Sequence, residues 1–138
     1  MTDEARRANV ALELRRADES RRAAETLLAA GLLSDAISRA YYAAFHLIRA
    51  LLVSRGLEPR SHAGAFHLFN VELVSRGLLP TTLNRTLAGL QRAREIADYD
   101  AAVVFAAEDG ARYLDEVRAF EKDVVALLRS EGWLAAES

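Results

Sequence analysis

An all-α fold, an antiparallel bundle of four to five helices, follows from three features of the sequence. Apolar residues recur at helical spacing in each long segment. No segment alternates apolar and polar residues with the β-branched enrichment of a strand. Gly31, Gly56, Pro59, Gly77, Pro80 and Gly132 punctuate the chain between the periodic runs. Short connectors make successive helices antiparallel neighbours. The 138 residues suit one domain, and no linker or repeat divides them, so a single domain over residues 1–138 is expected.

The first helix is expected over about residues 3–30, capped by Thr2 or Asp3 and favoured by Glu4 at the positive end of the dipole. Val10, Leu14, Ala17, Ala24 and Leu28 form its apolar stripe. Its arginine pairs alternate with acids, the pattern of a solvated face rather than a nucleic-acid patch. The second helix, about residues 34–55, starts at Ser34 or Asp35 and closes at Gly56. Ile37, Ala40, Tyr41, Ala44, Ile48, Leu51 and Leu52 form its core side. Asp35, Arg39, Tyr42, His46 and Arg49 lie roughly opposite, within an arc of about 80°. This helix is expected to be central, packed on one face and presenting chemistry or a partner surface on the other.

Ser61 caps the third helix, about residues 62–76, whose apolar positions include Ala65, Phe66, Phe69, Leu73 and Val74. His62 and His67 are five apart and do not share a face as a metal pair would, so no metal and no cofactor is expected. Thr81 is the expected cap of the fourth helix, about residues 82–98, with Leu83, Leu87, Leu90, Ala93 and Ala97 as its stripe. Arg94 falls inside that stripe, and a guanidinium aimed at a core must be paired or used. An ion pair with Asp98, one turn on, accounts for it as well as a functional role does. The last helix, about residues 104–129, carries Tyr113, Leu114, Val117, Phe120, Val124, Leu127 and Leu128 on one face. Trp133 to Ser138 is then a frayed tail or a dimer contact.

Composition bounds the function. The net charge of −2 makes the whole surface no general magnet for nucleic acid, so any RNA contact must be a local patch. The absence of cysteine excludes disulfides, thiolate metal sites and cysteine nucleophiles. The charged N-terminus has no apolar signal core, and the apolar run from Ala40 to Val53 is too short to span a bilayer. A cytoplasmic protein with no membrane contact is expected. No glycine-rich phosphate loop, helical His–Glu metal motif or serine elbow is present.

Two segments carry a resemblance. Gly31 to Ala36 running into Ser38-Arg39-Ala40-Tyr41-Tyr42-Ala43-Ala44-Phe45-His46, combined with Arg94-Glu95-Ile96-Ala97-Asp98-Tyr99, resembles HEPN-domain proteins. The similarity is to their small stand-alone bacterial and archaeal subgroup. It continues through Gly56 to Pro59, Ser61 to Gly64, and Glu108-Asp109, and so spans nearly the whole chain. The resemblance implies a helical homodimer with a cleft between protomers. It also implies a toxin–antitoxin pairing with a minimal nucleotidyltransferase. Many such HEPN partners are metal-independent ribonucleases with an Arg followed four to six residues later by His. There the Arg holds the scissile phosphate and the His assists proton transfer. Here Arg94 matches the Arg, but Tyr99 stands at the histidine position. A phenol, with an ordinary pKa of about 10, is a poor base at neutral pH. The resemblance further suggests Tyr99 as an acceptor for nucleotidyl transfer from the partner.

Two function classes therefore stand. The first is a metal-independent endoribonuclease, with Arg94, His46 and Tyr99 as catalytic candidates and Arg39, Tyr42, Arg49 and His62 as RNA- or nucleotide-binding candidates. The second is a non-catalytic dimeric binding module that docks a nucleotidyltransferase or holds a nucleotide. The first requires His46 and Arg94 to reach one substrate; helical phase fixes directions around an axis, not distances between axes.

Overall fold

The structure is a computed structural model that describes residues 2–100, 102 and 105–135. It is an all-α bundle of five helices: α1 (Asp3–Ala29), α2 (Leu33–Ser54), α3 (His62–Phe69), α4 (Thr82–Tyr99) and α5 (Ala107–Ser130). A π-helical segment, Asn70–Val74, continues α3, and the Ser75 N–H reaches the Asn70 carbonyl at 2.8 Å. Among the described residues there is no strand.

Four helix ends share one stop signal. Gly31, Gly56, Gly77 and Gly132 all have positive φ, between 72° and 82°. The residue after each glycine is apolar, and its N–H bonds a carbonyl five residues back: Leu32 to Leu27, Leu57 to Leu52, Leu78 to Leu73 and Trp133 to Leu128, at 2.9–3.0 Å. This is the Schellman arrangement, which requires a left-handed residue at the turn and so favours glycine. At Gly56 a side chain would also collide with Arg6, whose Nη2 lies 2.9 Å from the position of a Cβ.

The starts agree less evenly with expectation. Thr2 accepts from the Ala5 N–H at 3.0 Å and Ser61 from the Gly64 N–H at 2.9 Å, as cap residues should. Thr81 does not cap α4: its backbone is already helical (φ −63°, ψ −24°), which withdraws the hydroxyl from the free N–H groups. The second helix begins at Leu33, ahead of Ser34 and Asp35, and Asp35 contributes only through the dipole of the first turn. The last helix begins at Ala107, where Asp109 accepts from the Ala106 N–H at 3.3 Å; its expected start at residue 104 lies outside the described residues. So do residues 136–138 of the tail, whereas Trp133 and Leu134 pack against the core and Arg7 bonds the Gly132 carbonyl at 2.6 Å.

The bundle is built around α2, which touches α1, α3, α4 and α5. Thirteen of its 22 residues are buried, including Phe45, Leu47 and Ala50, which fall outside the stripe expected from the sequence. The 27-residue α1, about 40 Å long at 1.5 Å per residue, lies along α2 and buries Val10, Ala17 and Ala24. Small residues at these positions, facing a helix rich in alanine, let the two backbones approach closely. Phe69 of α3 and Phe120 of α5 meet edge-on at 5.7 Å on another side of the core. No helix is long and apolar enough to cross a membrane among the described residues.

Enlarging the α1 contact tests this packing. Ala17→Leu is expected to lower unfolding stability by about 1–3 kcal/mol through overpacking, read as a lower urea midpoint with an unchanged slope.

Candidate functional site

The two sequence segments that carry the resemblance are joined physically by one carboxylate. Asp98, near the end of α4, accepts from Ser38 Oγ of α2 at 2.6 Å. Its other oxygen lies 3.4 Å from Arg94 Nε, one helical turn back. Arg94 in turn donates from Nη2 to the Tyr42 hydroxyl at 3.3 Å. Its guanidinium carbon stands 4.9 Å from the Tyr41 ring centre and 5.7 Å from that of Tyr42. The Arg94 side chain is only 17 % exposed. The ion pair with Asp98 raised for Arg94 is present, and the guanidinium also lies against the two tyrosines of α2.

The histidines come from different helices. His62, the first residue of α3, places Nδ1 2.8 Å from the Tyr41 hydroxyl. Its ring stacks on Phe45 at 4.0 Å and on Tyr41 at 5.9 Å, and meets Tyr42 edge-on at 6.1 Å. Burial pushes its pKa below the ordinary value, and the positive charges of Arg94, Arg49 and His46 push it the same way. His46 instead turns to α1, where its Nδ1 lies 2.8 Å from Glu13. The other Glu13 oxygen accepts from Arg49 Nε at 3.1 Å. Burial works to raise the Glu13 pKa, but the His46 hydrogen bond and the Arg49 charge outweigh it and hold the carboxyl below its usual range. The stripe expected on α2 is therefore not a free face, since α1, α3 and α4 each supply partners to it.

A groove of about 360 Å³ between α1 and α2 is lined by Arg16, Glu19, Arg39, Tyr42 and His46. A neighbouring one of about 600 Å³ shares Arg39 and Tyr42 and extends to Asp35, Ser38 and Asp98. Tyr42 belongs to both, and behind it stands Arg94. The structure thus gathers Arg39, Tyr42 and His46 at one surface, with Arg94 bonded to Tyr42 and the half-buried His62 edge-on to its ring. Tyr99 projects outward at the end of α4, 81 % exposed. A further concave surface, of about 440 Å³ between α1 and α5, includes Arg21 and Arg118, but Asp18, Glu25, Glu121 and Asp115 already engage them.

Sequence reasoning missed Glu13 and the depth of His62. Glu13 is one of many acids on α1, and nothing local marks it. His62 sits directly after the Ser61 cap, so its proximity to Arg94 depends on how α3 crosses α2.

The comparisons agree with this architecture. The HEPN domain family matches residues 10–128, a span that holds Glu13, His46, His62, Arg94 and Tyr99, and the chain belongs to that family. It is 35% identical to UPF0332 protein glr0978 of Gloeobacter violaceus over 99 residues, which cover 72% of this chain and 79% of that protein. It is 27% identical to the protein named "Putative toxin MJ0142" of Methanocaldococcus jannaschii over 125 residues, covering 91% and 85% of the two chains. "Putative toxin MJ0605" of the same organism is 47% identical over 47 residues, 34% of this chain and 35% of that protein.

The site predicts an acid-sensitive stability. His62 has a lowered pKa in the folded state, so the unfolded chain binds its proton first as pH falls. Its contribution is present above an unfolded value of about 6.5 and is lost as pH drops through the lower folded value. Glu13 adds a second loss as pH falls through its depressed folded value. Urea midpoints between neutral and acid pH should fall in this order, and His62→Gln should remove the first part of the fall. Asp98→Ala, which releases Ser38 and Arg94 together, should cost about 1–3 kcal/mol in the same assay.

Proposed function

We propose that this toxin-like HEPN protein is a cytoplasmic homodimer that pairs with a minimal nucleotidyltransferase and binds RNA without cutting it. One observation carries the reading. Arg94, the residue that holds phosphate in cleaving members, is retained next to a tyrosine-lined groove, while the position that would supply the proton-transferring imidazole is the exposed phenol of Tyr99. Arg39, Tyr42 and His46 offer a charged fork, a stacking ring and a polar imidazole along that groove, a set suited to a single-stranded backbone and base. Glu19, Asp35 and Asp98 on the same walls limit its positive charge. Affinity then depends on the local arginines and on a second protomer bringing its own set.

The ribonuclease reading keeps one observation in its favour. His46 lines the groove with Glu13 behind it, a carboxylate–imidazole pair able to orient a proton donor.

Purified protein incubated with single-stranded RNA in EDTA separates the two. Binding without cleavage is expected, with affinity falling about tenfold in Arg94→Ala from loss of one charge-assisted contact. Cleavage abolished by both Arg94→Ala and His46→Ala would establish the enzyme instead. Supplied with a minimal nucleotidyltransferase and a nucleoside triphosphate, the protein should gain one nucleotidyl mass on Tyr99, read by peptide mass spectrometry and absent in Tyr99→Phe.

A further inference from the structure

Arg6, near the start of α1, is a guanidinium without an acceptor. It is half-buried, and its side chain makes no hydrogen bond or ion pair with any described residue. An exposed arginine turns its donors to water, but the Arg6 Nε is buried. A guanidinium N–H in that position is costly and uncommon, and a ligand that supplies an acceptor is one resolution. The side chain has its place because residue 56 is glycine: a Cβ there would stand 2.9 Å from Nη2 and 3.2 Å from Cζ.

Arg6 lines a cavity. Half-buried Val53 and Leu57 and the exposed Glu58 line it too, and its volume is about 270 Å³. A second cavity, of about 240 Å³, shares Val53, Leu57 and Glu58 and includes Leu12, Arg49 and Pro59. The shared residues join the two into one trough. Helical spacing produces it: Arg6, Asn9 and Glu13 follow one another at three and four residues on α1, and Arg49, Val53 and Gly56 at four and three on α2. Each set therefore lies along one side of its helix, and the two sides face each other. Joined, the cavities come within the range of small-ligand sites, ~300–1,000 Å³, and have the same makeup of apolar walls with a few polar groups.

The charges select the ligand. Arg49 already donates from Nε to Glu13 at 3.1 Å, so that cation is balanced. Glu58 lines both cavities and makes no ion pair with Arg6. A polyanion laid along the trough would meet Glu13 and Glu58 as well as Arg6, and their charge repels it. A single carboxylate matches the planar fork of one guanidinium. Leu12, 42 % exposed, with Val53, Leu57 and Pro59, offers apolar surface to the rest of the ligand.

We propose that the trough between α1 and the end of α2 binds a small carboxylate monoanion with an apolar body, its carboxylate held by Arg6. Two sources have this chemistry: a free apolar carboxylate, and an apolar residue at the C-terminus of a peptide. The trough shares no lining residue with the Arg39–Tyr42–His46 groove, and the inference does not depend on the RNA reading.

The test titrates the full chain with hexanoate and with the peptide acetyl-Gly-Leu-Leu, each against its uncharged amide, and follows the backbone NMR signals. Saturable binding of at least one carboxylate is expected, with shifts centred on Val53, Gly56 and Leu57. The amide of that probe should bind about tenfold more weakly, through loss of a charge-assisted contact. Arg6→Gln should weaken the carboxylate by a similar factor and leave the amide unchanged. Glu58→Gln should strengthen the carboxylate about threefold by removing a like charge. Binding of hexanoate alone assigns a free acid, and binding of the peptide alone assigns a chain terminus; either result, or both, upholds the site. Equal affinity for carboxylate and amide would overturn it, as would shifts centred elsewhere, undiminished binding in folded Arg6→Gln, or no binding of any probe. The comparison of carboxylate with amide needs no substitution and stands if a variant fails to fold.

Discussion

The burial of α2 on nearly all sides is the constraint from which the site follows. A helix that touches four others has little solvent face on which to leave polar groups, and an unpaired polar group in its buried part is costly. Five polar side chains on α2 have counterparts on neighbouring helices, while Asp35 and Arg39 stay exposed. Ser38 meets Asp98, Tyr41 meets His62, Tyr42 meets Arg94, and His46 and Arg49 share Glu13. Ser54, the one buried polar residue with no partner helix, turns back to the Leu51 carbonyl at 2.6 Å. The chemistry of the protein is the set of pairings that lets a buried helix keep its polar residues.

Asp98 has a particular place in this set. It reaches Ser38 in α2 and Arg94 in its own helix, so it fixes both the distance between the helices and the direction of the guanidinium. A change at Asp98 acts on Arg94 through position rather than through ligand contact. Tyr99, the next residue, is more exposed still. It leaves the core as α4 ends and stands open to solvent. Of these two adjacent residues, one bridges α2 and α4 and the other extends into solvent.

The helical class, the helix order and four of the stops were legible from the chain because they depend on local rules. The Gly-apolar pairs at Gly31, Gly56, Gly77 and Gly132 each complete a Schellman turn with a carbonyl only five residues back. Thr81 shows where the same reasoning stops: its residue type suits a cap, but the turn after Pro80 already sets its backbone in the helical region. The stripe on α2 was legible as a direction, but the helices that cover part of it were not. Whether a polar face is free depends on what the rest of the chain lays against it.

By itself, the sequence determined the helices, their stops, the central position of α2 and the choice of Arg94 as a cation that must be paired or used. These follow from periodicity and from the cost of burying charge, which are properties of single segments. Tertiary structure alone decided that Glu13 serves His46 and Arg49, that His62 rather than His46 comes beneath the Arg94 tyrosines, and that Tyr99 stays outside. Those outcomes depend on the distances and crossing angles between helices, which are set by the packing of all five at once.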